Sequence, residues 1–145
     1  MGIIVRRMGS ADADAIAELS QKYFPLARID EAEVRRRTAR GVQYFVAERD
    51  GNLAGFVDVK LGARQVRIGG IAVTPDCERH GIGSALLERA VAFARENGRS
   101  SLSLLVKESN AKALRFYTQR GFALKGARIG KRNGTVLVLV RGIEN

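Results

Sequence analysis

The chain has 145 residues, of which 46% are apolar and 28% charged. That length supports one domain with a real core, and the composition is that of a globular chain without low-complexity tracts. The formal net charge of +10 favours an anionic ligand, an acidic partner or a polyanion such as ribosomal RNA or DNA, although charge alone selects no substrate. No apolar run is long enough to span a bilayer, and the first ten residues, MGIIVRRMGS, lack the long apolar region of a signal peptide. Arg6 also stands where a myristoylation signal requires Ser or Thr. The single cysteine, Cys77, can form no internal disulfide, which fits a reducing compartment. These features lead us to expect one soluble, cytoplasmic domain over residues 1–145.

In chain order, Ile3 to Arg7 reads as a short strand, with Ser10 as the N-cap of a helix that carries Asp12 and Asp14 in its first turn. Pro25 interrupts, and a second helix from about Asp30 to Arg40 presents Arg35, Arg36, Arg37 and Arg40 as an exposed face, or as one facing substrate or nucleic acid. Gln43–Arg49 and Leu53–Leu61 are strand-like runs joined at Asp50-Gly51-Asn52, a hairpin signal because Asp-Gly tolerates positive φ. Gly62 to Gln65 turns the chain into the strand Val66–Val73. A helix follows from about Gly81 to Asn97, with Leu86, Leu87, Ala90, Val91, Phe93 and Ala94 on its apolar face. Ser101–Val106 is the next strand, and a strand–helix–strand unit of this length implies parallel pairing by a right-handed crossover. Asn110 caps a helix from Ala111 to about Gln119, and Phe122–Ala127 and Thr135–Arg141 form two last strands joined through Asn133-Gly134. The order is therefore β-α-α-β-β-β-α-β-α-β-β, an α/β (α+β) arrangement in which an antiparallel meander precedes a parallel unit.

The stretch Val66 to Leu87, VRIGGIAVTPDCERHGIGSALL, carries the clearest chemistry. A glycine-bearing turn that leads a strand into a helix presents the unpaired N–H groups of the first helical turn, and the macrodipole adds positive charge there. A side chain at Gly81 or Gly83 would hold a phosphate away from those amides. The third glycine of a dinucleotide fingerprint is missing and no GxxxxGK[ST] occurs, which argues against other nucleotide enzymes. Gly69-Gly70 suits either a bulge in the strand or close packing against a helix. Asn110, Ala113, Leu114 and Tyr117 fall at i, i+3, i+4 and i+7, on one helix face.

Three segments in register resemble the GNAT superfamily of acetyl-CoA-dependent N-acetyltransferases. They are Ile71-Ala72-Val73 with Pro75 and Arg79-His80-Gly81-Ile82-Gly83-Ser84; Leu105-Val106-Lys107-Glu108-Ser109-Asn110; and Ala113, Phe116-Tyr117 and Gly121-Phe122. The V-x-x-S-N…A…Y…G-F ending is most similar to protein N-terminal acetyltransferases of the ribosomal-protein type. The resemblance covers essentially the whole chain. It implies a central mixed sheet of six to seven strands, mostly antiparallel with a splayed parallel pair, flanked by four helices.

The resemblance also implies acetyl-CoA as co-substrate, with no metal. The pantetheine arm would pair with Ile71, Ala72 and Val73, and the pyrophosphate would rest on Arg79, His80, Gly81, Ile82, Gly83 and Ser84. Asn110 would contact the arm, as well as capping its helix. Tyr117 would protonate the leaving thiolate; otherwise it is a core aromatic. A backbone N–H of Val73 or Ile71 would meet the developing oxyanion. The acceptor would be a primary amine, such as a protein N-terminal α-amine, with a small-molecule amine (polyamine, arylamine or amino acid) as the alternative. A basic acetyl-CoA-binding module without turnover, with ribosome or nucleic-acid contact, is the reading from another class. The chain would act as a monomer or a homodimer.

Two departures from the family pattern stand out. Glu78 occupies a position where the family prefers Gln or Arg, which places a carboxylate beside the pyrophosphate loop. Leu105 stands where ribosomal-protein-type relatives carry a glutamate base. Glu108, Asp58 and Glu48 remain as candidate bases, and each reads as a surface residue rather than a base. A lysine side chain with a pKa of about 10.4 is only about 0.04% neutral at pH 7, whereas an α-amine at about 7.7–8.0 is roughly 10–20% neutral. Without a positioned base, a low-pKa amine is the expected acceptor.

Overall fold

The computed structural model describes residues 2–78, 81–130 and 134–144. Its elements are β1 (Ile3–Arg7), α1 (Ala13–Tyr23), α2 (Glu31–Ala39), β2 (Val42–Arg49), β3 (Asn52–Leu61), β4 (Val66–Val73), α3 (Ile82–Glu96), β5 (Ser101–Lys107), α4 (Ala111–Gln119), β6 (Ala123–Gly130) and β7 (Gly134–Gly142). The strands form one seven-stranded sheet in the order β1-β2-β3-β4-β5-β7-β6. Every neighbouring pair is antiparallel except β4–β5, which is parallel. The α/β sheet with four helices matches the sequence expectation element for element.

Strand alternation divides the apolar residues between two cores. Tyr44, Val46 and Phe56 face α1 and α2, where they meet Ile16, Leu19 and Val34. Their neighbours Phe45, Ala47 and Val57 face the other side and pack with Leu86, Leu87, Val91 and Phe93 of α3. A period of two along the strand thus meets a 3.6-residue stripe along each helix. At the β2–β3 hairpin, Asp50 (φ 53°) and Gly51 (φ 81°) both adopt the left-handed geometry that the Asp-Gly pair predicts. Among the described residues no helix is long and apolar enough to cross a membrane.

The start of the first helix differs from expectation. Ser10–Asp12 form a short 3-10 turn, and α1 begins only at Ala13. Asp12, rather than Ser10, closes the capping box of this 3-10 turn: its Oδ2 accepts from the Gly9 amide at 2.7 Å, and no side chain caps α1 itself. The same carboxylate receives both guanidinium nitrogens of Arg6, at 2.7 and 3.0 Å, while Arg6 also reaches Glu48 at 3.1 Å. One carboxylate therefore serves a cap and a bidentate ion pair, and the hydrogen bond from Arg6 holds its pKa below the ordinary carboxylate value. A depressed acid stabilises the fold above its unfolded pKa and loses that contribution as pH falls through the folded one. Asp12→Ala should cost about 1–2 kcal/mol at pH 7 by urea unfolding. The deficit should shrink as the pH is taken below about 4.

Arg35, Arg36 and Arg40 are exposed as expected, and Arg37 is half-buried. Arg35 pairs with Glu31 at 2.8 Å, and Arg36 and Arg37 pair with Glu33 at 2.9 and 3.1 Å. Much of the positive stripe is thereby matched one helical turn away.

Candidate functional site

β4 and β5 pair only at Val66–Ile68 with Leu102–Leu104. Beyond Ile68 the strands part, because β4 bulges: Asp58 of β3 sits opposite Gly70 and Val59 opposite Ile68, which leaves Gly69 without a partner. Both readings of the glycine pair hold together. Gly69 is the bulge residue, and Gly70 makes room for Phe24 at the end of α1, whose ring lies 2.8 Å from where a Cβ would stand.

The parting strands open a cleft of about 670 Å³. Ile71, Ala72, Val73, Gly81, Ile82, Gly83, Ser84, Asn110 and Tyr117 all line it. Every described residue that the sequence assigns to acetyl-CoA is thus gathered around one cavity. Arg79 and His80 lie outside the described residues.

The two loop glycines have different physical reasons. Gly81 is the N-cap of α3 at φ 78°, with nothing within 4 Å of a Cβ, so backbone conformation selects it. A Cβ on Gly83 would sit 3.1 Å from the Phe116 ring, so here glycine serves the packing of α3 against α4. No side chain caps α3, and its first i→i−4 bond runs from Ala85 to Gly81 at 3.0 Å. The N–H groups of Ile82, Gly83 and Ser84 therefore have no intrahelical partner and suit an anion.

Two cations that the sequence reading missed complete this end of the cleft. Arg120 lines it, donates from Nε to Ser84 Oγ at 2.9 Å, and stacks on Phe116 with its guanidinium carbon 3.9 Å from the ring centroid. Its position one turn beyond Tyr117 was the available signal. Lys112 Nζ binds Glu78 Oε1 at 2.8 Å, so α4 neutralises the unexpected carboxylate of the loop. That pair is largely exposed and adds little to stability.

Asn110 Oδ1 accepts from the Ala113 amide at 3.2 Å, which realises the expected cap. The Tyr117 ring is held edge-to-face between Phe116 and Phe122, at centroid distances of 5.2 and 5.3 Å. It is buried in the core cluster and also lines the cleft. Burial, and secondarily the negative charge of Asp58, push its phenol well above the ordinary tyrosine value. The hydroxyl therefore keeps its proton at neutral pH.

The remaining carboxylates separate clearly. Glu108 is exposed, and Glu48 is engaged by Arg6. Asp58 is not the surface residue expected: it is half-buried in the middle of the sheet, beside the bulge.

A parallel strand pair splayed by a bulge, with an uncapped helix start at its mouth, is the arrangement of a protein that binds an extended, phosphate-bearing ligand. Residues 13–122 match the Acetyltransferase (GNAT) family, and the chain belongs to that family. Acetyl-CoA is the co-substrate of GNAT acetyltransferases. The chain is 40% identical over 88 residues to streptothricin acetyltransferase of Streptomyces lavendulae, covering 59% of this chain and 47% of that protein. It is 35% identical over 78 residues to the ribosomal protein bS18-alanine N-acetyltransferase of Escherichia coli K12, covering 54% and 53%. The chain thus spans about half the length of these curated relatives. The crystal structure of Ard1 from Thermoplasma volcanium superposes with a TM-score of 0.87 at 21% identity over the whole of both chains, which shows a shared fold.

Proposed function

We propose that the protein is an N-acetyltransferase that moves an acetyl group from acetyl-CoA to a primary amine by direct attack. The observation that carries this reading is the convergence of the nine described, sequence-assigned residues on one cleft. Acetyl-CoA supplies an activated thioester. The α3 amides, with Arg120 and Lys112, hold its phosphates. The β5-facing backbone of Ile71–Val73, freed by the splay, holds the amide-bearing arm and directs an N–H at the carbonyl oxygen. Tyr117 gives its phenolic proton to the departing sulfur.

A protein N-terminal α-amine is the first acceptor to test, because the V-x-x-S-N ending and the bS18-alanine relative both point to it. The 40% likeness to an antibiotic acetyltransferase favours a small-molecule amine as the second reading. Thiol release should be measured with free and N-terminally blocked peptides, lysine peptides, amino acids, polyamines and arylamines. Release with a free peptide, lost on blocking, supports the first reading, whereas release with polyamines, amino acids or arylamines alone supports the second. Acetyl-CoA binding without turnover on any of them would sink both and favour a binding module.

Glu78 gives a separate check. Its carboxylate opposes bound phosphate, so Glu78→Gln should lower the KM for acetyl-CoA several-fold in initial-rate assays. The melting temperature should stay within about 1 °C, because exposed ion pairs contribute little.

A further inference from the structure

Asp58 lies on β3 with Tyr44 of β2 and Gly70 of β4 as its register partners. The bulge turns its carboxylate onto Gly69: a Cβ added at that glycine would stand 2.0 Å from Oδ2 and 2.8 Å from Cγ. The carboxylate therefore fills the side-chain space of a residue that lines the cleft, at the point where β4 leaves β5. Among the described residues Asp58 has no ion pair within 4 Å, and the nearby Arg37 is already bonded to Glu33 at 3.1 Å. The titratable groups that face it are Arg37 from α2, Tyr44 from β2 and Tyr117 from α4.

We infer that Asp58 is a catalytic residue of this site, the base that takes from the acceptor ammonium the proton it must lose before its nitrogen can attack. The inference rests on the acetyltransferase reading above. The ammonium gives one proton to a carboxylate oxygen of Asp58, and the freed lone pair forms the C–N bond at the thioester carbon. The C–S bond breaks with its electron pair on sulfur, which takes the proton of Tyr117. A second proton from nitrogen restores the phenol, and Asp58 returns the first to solvent. Ammonium and thioester thus become amide, thiol and one released proton.

The electrostatics suit the role. Burial pushes the Asp58 carboxyl up to about 6, against a smaller downward pull from Arg37 and the backbone N–H groups of Asp58 and Gly70. The group is ionised at neutral pH yet basic enough to accept a proton. A raised acid favours the fold when protonated, so its stability contribution is lost as pH rises from the unfolded value through about 6. A carboxylate kept at a cost to stability is what a catalytic position looks like.

The test is Asp58→Asn assayed with whichever amine the wild type turns over. We expect kcat to fall by about a hundredfold or more, with the KM for acetyl-CoA within threefold. The acidic limb of the wild-type kcat profile, centred near pH 6, should vanish in the variant. The variant should melt at or above the wild-type temperature at pH 8, with the difference narrowing below pH 6 and closing only near pH 4. A kcat within threefold of wild type overturns the inference, and so does a wild-type kcat that is flat from pH 5 to 8, a result that requires no mutant to fold. Failure of the wild type on every amine would instead remove the reading on which the inference stands.

Discussion

Tyr117→Phe should lower kcat by at least about a hundredfold with saturating acetyl-CoA and acceptor, while leaving cofactor affinity within threefold. The variant removes one oxygen from a ring whose edge-to-face contacts with Phe116 and Phe122 involve only carbon, so the fold and the cleft wall persist. What disappears is the proton that neutralises the leaving sulfur. Burial first, and Asp58 second, hold the phenol above its ordinary value, so at every practical pH Tyr117 enters the cycle with its proton on. The alkaline limb of the kcat profile should therefore not belong to Tyr117. Thiol release measured from pH 6 to 9 in both proteins checks this. A kcat within threefold of wild type, or an alkaline limb that moves with the substitution, would refute the acid role.

What the sequence made legible was whatever rests on local chemistry. Asp-Gly in a left-handed turn, Asn110 as a cap and the alternating faces of β2 and β3 each depend on a few adjacent residues, and each appears as expected. The splay of β4 from β5 was implied by the family resemblance, and Gly69-Gly70 offered a place for the bulge that accompanies it. The residues that stayed hidden are those whose role comes from contacts between distant segments. Asp58, a candidate base by its charge alone, reads as a surface carboxylate because nothing near it in the chain reveals that a bulge in another strand brings Gly69 against it. The Glu78–Lys112 and Ser84–Arg120 pairs join positions more than thirty residues apart, so the charge balance of the phosphate end was unreadable. Gly83 has a second reason that its motif did not show: a Cβ there would crowd the Phe116 ring. The pairing of Arg35, Arg36 and Arg37 with Glu31 and Glu33 was within reach of sequence reasoning, since acidic residues precede them at helical spacing.

Gly69→Ala should damage both the fold and turnover. Its Cβ would lie 2.0 Å from Asp58 Oδ2, 2.8 Å from Cγ and 3.0 Å from Oδ1, so either the carboxylate swings out of place or β4 shifts. Overpacking of this kind costs about 1–3 kcal/mol. Because the displaced group is Asp58, turnover should fall at least tenfold even at temperatures where the variant is fully folded. Gly126→Ala is the control: a Cβ there meets nothing within 4 Å, and both stability and rate should be unchanged. The double variant Gly69→Ala/Asp58→Ala separates crowding from chemistry. Removing the carboxylate makes room for the methyl group, so chemical denaturation should show most of the lost stability recovered, a coupling of 1 kcal/mol or more between contacting sites. Turnover should stay low, since the base is gone. Recovery of both would mean that Asp58 matters to this site only through the space it fills, whereas recovery of stability alone separates the fit of that carboxylate from its proton chemistry.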